Sequence, residues 1–133
     1  MSFDWIEYLN LARKLSGTLT QSVAPEAEER AAISRAYYAA FCKARNYLRD
    51  NEGYVKISSS GGSHDFVISR FSLKLGQSTE NKKGLRTGIS IDLGRLKDTR
   101  IRADYDDVMA DSREKARNAI NLAEEIIKNL SKL

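Results

Sequence analysis

The chain has 133 residues, 41% of them hydrophobic and 30% charged, with a formal net charge of +4. This is the balance of an ordinary soluble globular protein, long enough for one domain with a core of its own. No apolar run approaches a membrane span, and the single Cys42 excludes an intramolecular disulfide and, with no Cys or His cluster beside it, a zinc site.

MSFDWIEYL lacks the basic start and apolar core of a signal peptide, so a cytoplasmic protein with no membrane partner is expected. The first helix is predicted from Asp4 to Leu15, with Trp5, Tyr8, Leu9, Ala12 and Leu15 at helical spacing on one face and Gly17 as a stop. The second opens at Pro25, where Glu26, Glu28 and Glu29 suit the positive end of the helix dipole, and runs to Arg49. NEGYVKISSSGGSH reads as a loop by composition. A third helix is predicted from Ser63 to Leu75. The polar, breaker-rich GQSTENKKGLRTG is expected to be exposed and mobile, with a fourth helix following over Ile89–Tyr105. The last helix, Ser112–Leu130, carries a stripe of Ala116, Ala119, Ile120, Ala123, Ile126, Ile127 and Leu130, and Asp111 with Glu114 resembles a capping box. Abundant Ala, Leu, Glu, Lys and Arg with one Pro favours an all-helical fold, and five helices with short connections give a bundle.

The stretch SRAYYAAF, Ser34 to Phe41, places an arginine and two adjacent tyrosines among alanines. Successive helical residues lie about 100° apart, so neighbouring tyrosines serve different faces. With Ile33 at zero, the main apolar stripe falls between about 300° and 80°, and Arg35, Tyr38 and Cys42 fall between about 140° and 200°. A solvated back face is normally Lys, Glu and Gln. This one is small, aromatic and singly charged, so it packs against something, and a partly desolvated Arg35 needs an anionic or carbonyl partner.

RIRADYDD, Arg100 to Asp107, offers that partner region: Arg100 and Asp104 share one face at four apart, Arg102 and Tyr105 another at three. One account is an internal ion pair of Arg35 with Asp104 or Asp106. The other is a pocket where several arginines converge on a phosphate. Between Val67 and Arg102 nine Lys or Arg stand against three Asp or Glu, a local excess of +6 that suits a phosphate-bearing partner. His64, the only histidine, sits where a helix should start, a place for either a capping residue or an anion-binding one. Nucleotide-loop and nucleophile-elbow motifs are absent.

Together SRAYYAAF, His64 ahead of a helix, LGRLKDTRIRADYDD and ARNAINLAEEII resemble the HEPN superfamily (higher eukaryotes and prokaryotes nucleotide-binding domain), and within it the small stand-alone prokaryotic type. The resemblance implies an up-and-down bundle of about five helices built on two long antiparallel ones. It also implies a homodimer, with Arg35 and Tyr38 lining the inter-helix or dimer cleft. Many members are metal-independent endoribonucleases, often toxins paired with a nucleotidyltransferase antitoxin, whose R-x(4–6)-H motif supplies a phosphate-stabilising Arg and a proton-transferring His. This chain departs from that motif: RIRADYDD has arginines and an Asp but no imidazole.

The site expected from this comparison has His64 and Arg100 as catalytic residues and Arg35 and Arg102 as phosphate or nucleic-acid ligands. Ser34, Tyr38, Asp104 and Tyr105 support them or line the interface, and neither metal nor cofactor takes part. Two functions follow: a protein acting on RNA or nucleotides, as a metal-independent ribonuclease of a toxin–antitoxin or defence system, or a module that binds RNA, a nucleotide or a nucleotidyltransferase without chemistry. In a third account the arginines and aspartates pair only with one another and hold the assembly together.

Overall fold

The computed structural model describes residues 2–17, 24–54, 63–73 and 79–133. Five helices and no strand occur among them: α1 (Ile6–Gly17), α2 (Pro25–Glu52), α3 (Ser63–Ser72), α4 (Glu80–Tyr105) and α5 (Ser112–Ser131). The end of α2 meets the start of α4 through the Glu52–Arg86 ion pair. The start of α2 meets the end of α4, where Arg30 donates to the carbonyls of Ala103 and Asp106 at 3.0 and 2.6 Å. The two longest helices are therefore antiparallel. Ser112, at the start of α5, donates to the Glu29 carboxylate at 2.6 Å, so α5 runs alongside α2 in the same direction. α1 runs against both: its start lies at Lys43 in the second half of α2, and Ser16 in its last turn lies with Arg113 and Arg117 in the first turns of α5.

α2 is the central helix, packed by α1, α4 and α5 and by α3 at its side. Its alanines explain themselves there. Ala32, Ala36, Ala39, Ala40 and Ala44 are all fully buried, and without long side chains they let neighbouring helices approach on several faces at once. Tyr37, Ile33 and Leu48 fill the larger gaps beside Leu93, Leu96 and Ile126, each worth about 1.5–3 kcal/mol of burial for an aliphatic or aromatic side chain. Leu9 and Ala12 of α1 are buried, while Trp5, Tyr8 and Leu15 pack on the core from its edge.

Three local expectations are corrected. α4 begins nine residues earlier than Ile89, so all of ENKKGLRTG, expected as an exposed connection, is helix. Thr79 caps it, its hydroxyl accepting from the Lys82 amide at 3.2 Å, and Arg86 anchors its second turn in the interior. α2 continues through Asn51 and Glu52, which the composition assigned to a loop, until Gly53 at φ 77° receives it in the left-handed conformation that glycine adopts without penalty. The capping box at Asp111 does not form: Asp111 has φ 54° and its side chain bonds no amide of the first turn. Residues 55–62 of NEGYVKISSSGGSH, and residues 74–78, which include the expected last two residues of the third helix, lie outside the described residues. No described helix is long and apolar enough to cross a membrane.

Candidate functional site

Arg35, Tyr38, Cys42 and Arg45 follow one another on α2 at steps of three, four and three, one continuous face. α1 and the first turn of α3 close over it without sealing it, leaving a cleft of about 440 Å³. Trp5 and Tyr8 form one wall, Arg35, Tyr38, Phe41, Cys42 and Arg45 the floor, and Ser63 and His64 the far end. No carboxylate lines it.

Arg35 does not pair with Asp104 or Asp106, nor with any carboxylate among the described residues. Its guanidinium lies 4.7 Å from the Tyr8 ring centre and 5.6 Å from that of Tyr38, with the Ser34 hydroxyl 3.5 Å away. The Arg45 guanidinium lies 5.4 Å from the Trp5 ring centre and, among the described residues, hydrogen-bonds only the Asn46 side-chain oxygen, at 3.1 and 3.2 Å. An arginine stacked on a ring keeps its charge and most of its N–H fork, because the ring engages its face and leaves its edge free. The end of α4 takes its cation from elsewhere: Arg30, which sequence reasoning did not single out, caps the carbonyls of Ala103 and Asp106.

His64 stands in the first turn of α3, whose position is pinned by Asp65 and Lys97 of α4 at 2.6 Å. Its ring stacks on Phe41 at 4.3 Å, lies near-parallel to Tyr37 at 5.6 Å and meets the edge of Tyr38. Its Nδ1 is 2.6 Å from the Tyr37 hydroxyl. Arg100 of α4 sits behind this group, its guanidinium 5.0 Å from the Tyr37 ring centre and 5.6 Å from that of Tyr38. It forms the expected ion pair with Asp104, at 3.5 Å, and its buried Nε has no hydrogen-bond partner among the described residues.

Burial lowers the His64 pKa below its ordinary value, and the charges of Arg100 and Lys97 lower it further. Burial drives the Tyr37 phenol well above its ordinary range, so it stays protonated. A neutral phenol both donates and accepts. It serves His64 with the ring proton on Nε2, when Tyr37 donates to Nδ1, or on Nδ1, when Tyr37 accepts and Nε2 is left as a base. Burial raises the Cys42 thiol, which keeps it protonated and a poor nucleophile.

A stability consequence follows from the direction of the His64 shift. Near its ordinary pKa of about 6.5 the unfolded chain takes up a proton that the folded chain still refuses, so stability is retained above that pH and lost below it. The thermal midpoint is expected to fall more steeply between about pH 6.5 and 5.5 in the wild type than in His64→Gln. Because the chain has one histidine, equal slopes in the two proteins would remove His64 as the cause.

Of the residues singled out from sequence, the structure gathers His64, Arg100 and Tyr38 around Tyr37, with Asp104 behind Arg100, while Arg35, beside the buried Ser34, meets this group only at the Tyr38 ring. Arg102 and Tyr105 are exposed on α4 and line no part of the cleft. Arg102 is two residues from Arg100, about 200° around the helix. Sequence reasoning missed Arg45, the wall role of Trp5 and Tyr8, and Tyr37 as the partner of His64. Arg45 was within reach, one more turn along the face that holds Arg35. Among the described residues, no group of three or more His, Cys, Asp or Glu is placed to hold a metal ion.

A family model described as HEPN domain matches residues 21–133. No curated protein and no solved structure gives a significant match. The matched segment covers well over half of the chain, which therefore belongs to the HEPN family; α1, with Trp5 and Tyr8, lies outside it.

Proposed function

We propose that this HEPN protein binds single-stranded RNA, holding one nucleotide unit in the cleft between α1, α2 and the start of α3. The carrying observation is the pair Arg35 and Arg45, both resting on aromatic rings in a cleft without a carboxylate. Two cations left without an anion suit a phosphate, which the forked guanidinium matches in geometry. The rings of Trp5 and Tyr8 beside them suit a base, since every nucleobase has a face to stack. A volume of about 440 Å³ suits one nucleotide rather than a duplex.

Trp5 is the only tryptophan, so its fluorescence reports the cleft directly. Adenosine monophosphate and a short single-stranded oligoribonucleotide are each expected to quench it saturably, the oligonucleotide at lower concentration. An unchanged emission, together with unchanged anisotropy of a labelled oligonucleotide, would remove this reading.

A second reading has the site cleave what it binds, and the observation favouring it is an imidazole held by Tyr37 at the far end of the cleft that Arg35 and Arg45 floor. Nε2 of His64 takes the proton of the RNA 2′-OH. The 2′ oxygen attacks phosphorus, the bond to the 5′ oxygen breaks, and the leaving oxygen takes its proton from water, giving a 2′,3′-cyclic phosphate. Arg35 and Arg45 stabilise the added charge at phosphorus, while burial, and after it the charge of Arg100 behind Tyr37, disfavours protonation of His64. In EDTA, wild type is expected to cleave oligoribonucleotides and His64→Ala to do so about 10²–10⁴-fold more slowly. Intact RNA with both proteins leaves binding alone.

The homodimer is assigned to the outer face of α4 and the residues after it. Ile91, Ile101, Tyr105 and Val108 are 50%, 37%, 75% and 85% exposed there, more apolar surface than scattered single residues give. Light scattering is expected to give the mass of two chains, and Ile101→Lys with Tyr105→Lys that of one. A wild-type monomer at high concentration would contradict this.

A further inference from the structure

At the opposite end of α1 a second group of arginines converges. Arg13 and Ser16 from the last turns of α1 face Arg113, Arg117 and Asn121 of α5 across a groove of about 220 Å³, floored by Ile120. Arg113, Arg117 and Asn121 recur at steps of four, so they form one ridge beside α1. Three guanidiniums border a space this small and no carboxylate lines it.

The charges nearby are accounted for as follows. Glu124, next along the ridge, is engaged by Arg13 through Nε and Nη2 at 3.1 and 2.8 Å, and Asn10 takes the remaining Nη1 of Arg13 at 2.9 Å. Asp111 and Glu114 line the adjacent hollow with Arg113 and Arg117 but contribute nothing to this groove. Neither Arg113 nor Arg117 makes an ion pair among the described residues, which hold every Asp and Glu of the chain. Both sit within the first two turns of α5, where the helix dipole adds to their positive potential. Of the three arginines only Arg13 is paired with a carboxylate, and the like charges of Arg113 and Arg117 repel one another, which an anion in the groove relieves.

From this geometry we infer that the α1–α5 groove is a second, independent phosphate-binding site, formed by Arg113 and Arg117 with Asn121 and Ser16 as neutral donors and Arg13 held at its edge by Glu124. Its floor is one isoleucine and it has no aromatic wall, so it takes a phosphate group and does not read a base. Two sources supply that chemistry: the backbone of an RNA whose base occupies the cleft, and the phosphate of a small free metabolite. The inference does not rest on the cleft binding RNA.

The test follows the arginine and asparagine side-chain N–H resonances while inorganic phosphate is added to the full chain. Arg113, Arg117 and the remaining lining groups Arg13 and Asn121 are expected to shift saturably, and Arg113→Ala/Arg117→Ala to abolish the shifts of Arg13 and Asn121 without altering quenching of Trp5 by adenosine monophosphate. Both positions are exposed, so the double variant is expected to keep the wild-type thermal midpoint. Response of neither arginine, or shifts equal to those with the same ionic strength of chloride, would overturn the site. The salt dependence of oligoribonucleotide binding separates the sources. A slope smaller by about 0.7 per lost contact in the double variant identifies RNA backbone, and an unchanged slope with the phosphate response intact identifies a free phosphorylated ligand. Failure of the cleft reading shows instead as lost Trp5 quenching with the phosphate response retained.

Discussion

Glu52→Ala is expected to destabilise the fold by about 3–5 kcal/mol, the loss seen when one partner of a buried ion pair is removed. Arg86 is the reason. Its side chain is only 4% exposed and Glu52, 13% exposed, is its one carboxylate partner among the described residues. Two further contacts, the Arg70 carbonyl at 2.7 Å and the face of Phe71, hold the guanidinium in place without neutralising it. Removing Glu52 leaves a positive charge that can neither reach water nor lose its proton. The loss extends to the site, because this pair ties the end of α2 to the start of α4, and α4 carries both Lys97, which pins α3, and Arg100. Urea unfolding of Glu52→Ala measures it. The double variant Glu52→Leu/Arg86→Met, which removes both charges, is expected to recover most of the stability. A loss under about 1 kcal/mol, the range of exposed pairs, would mean that Arg86 reaches solvent.

The same arginine explains why part of the fold was not legible in the sequence. α1, α2 and α5 announce themselves by apolar periodicity, and in each the expected stripe is buried or packed on the core. The buried positions of α4 are Arg86, Ile89, Leu93, Leu96, Arg100 and Ala103, spaced three, four, three, four and three. That is a regular helical repeat, but arginine stands at two of its six positions. A reading that counts only apolar residues starts the helix at Ile89 and sees Gly84 and Gly88 as breakers. Burial of an arginine depends on Glu52, thirty-four residues away, which no local pattern reveals.

The site divides along the same line. Arg35, Tyr38 and Cys42 were legible as a second face of α2 because helical geometry alone puts them together. His64 and Tyr37 are 27 residues apart and come into contact only through the packing of α3. The pairing of Arg35 with Asp104 or Asp106, one of the two accounts, followed from the rule that a desolvated guanidinium needs an anion or a carbonyl. Aromatic faces met that need instead, Tyr38 on α2 itself and, closer, Tyr8 on α1. Aromatic and basic residues do not interleave along the chain here. They interleave in space, once α1 is laid across α2.

Alanine at both Arg35 and Arg45 is expected to weaken single-stranded RNA binding by about 100-fold or more. Each guanidinium contributes charge-assisted hydrogen bonds to phosphate, worth about 1.5–3 kcal/mol apiece, so either single variant loses about tenfold or more. The cost to the fold is smaller. Each arginine gives up contacts with rings at a partly exposed site, about 0.5–1 kcal/mol, and neither leaves a buried carboxylate behind, so both variants are expected to fold and to be comparable with wild type. Lysine replacements separate charge from shape: they retain the electrostatic attraction and its salt dependence, but lose the planar fork and the stacking on Trp5 and Tyr8. Arg35→Lys/Arg45→Lys is therefore expected to keep the wild-type salt slope with weaker affinity, while the alanine pair lowers the slope by about 0.7 per phosphate contact removed. The decisive comparison is with His64→Ala, which removes no fixed charge from the cleft and is expected to bind nearly as tightly as wild type. If His64→Ala loses binding and the arginine variants do not, the ligand is held at the Tyr37–His64 end of the cleft, and Arg35 and Arg45 serve only to pack α1 onto α2.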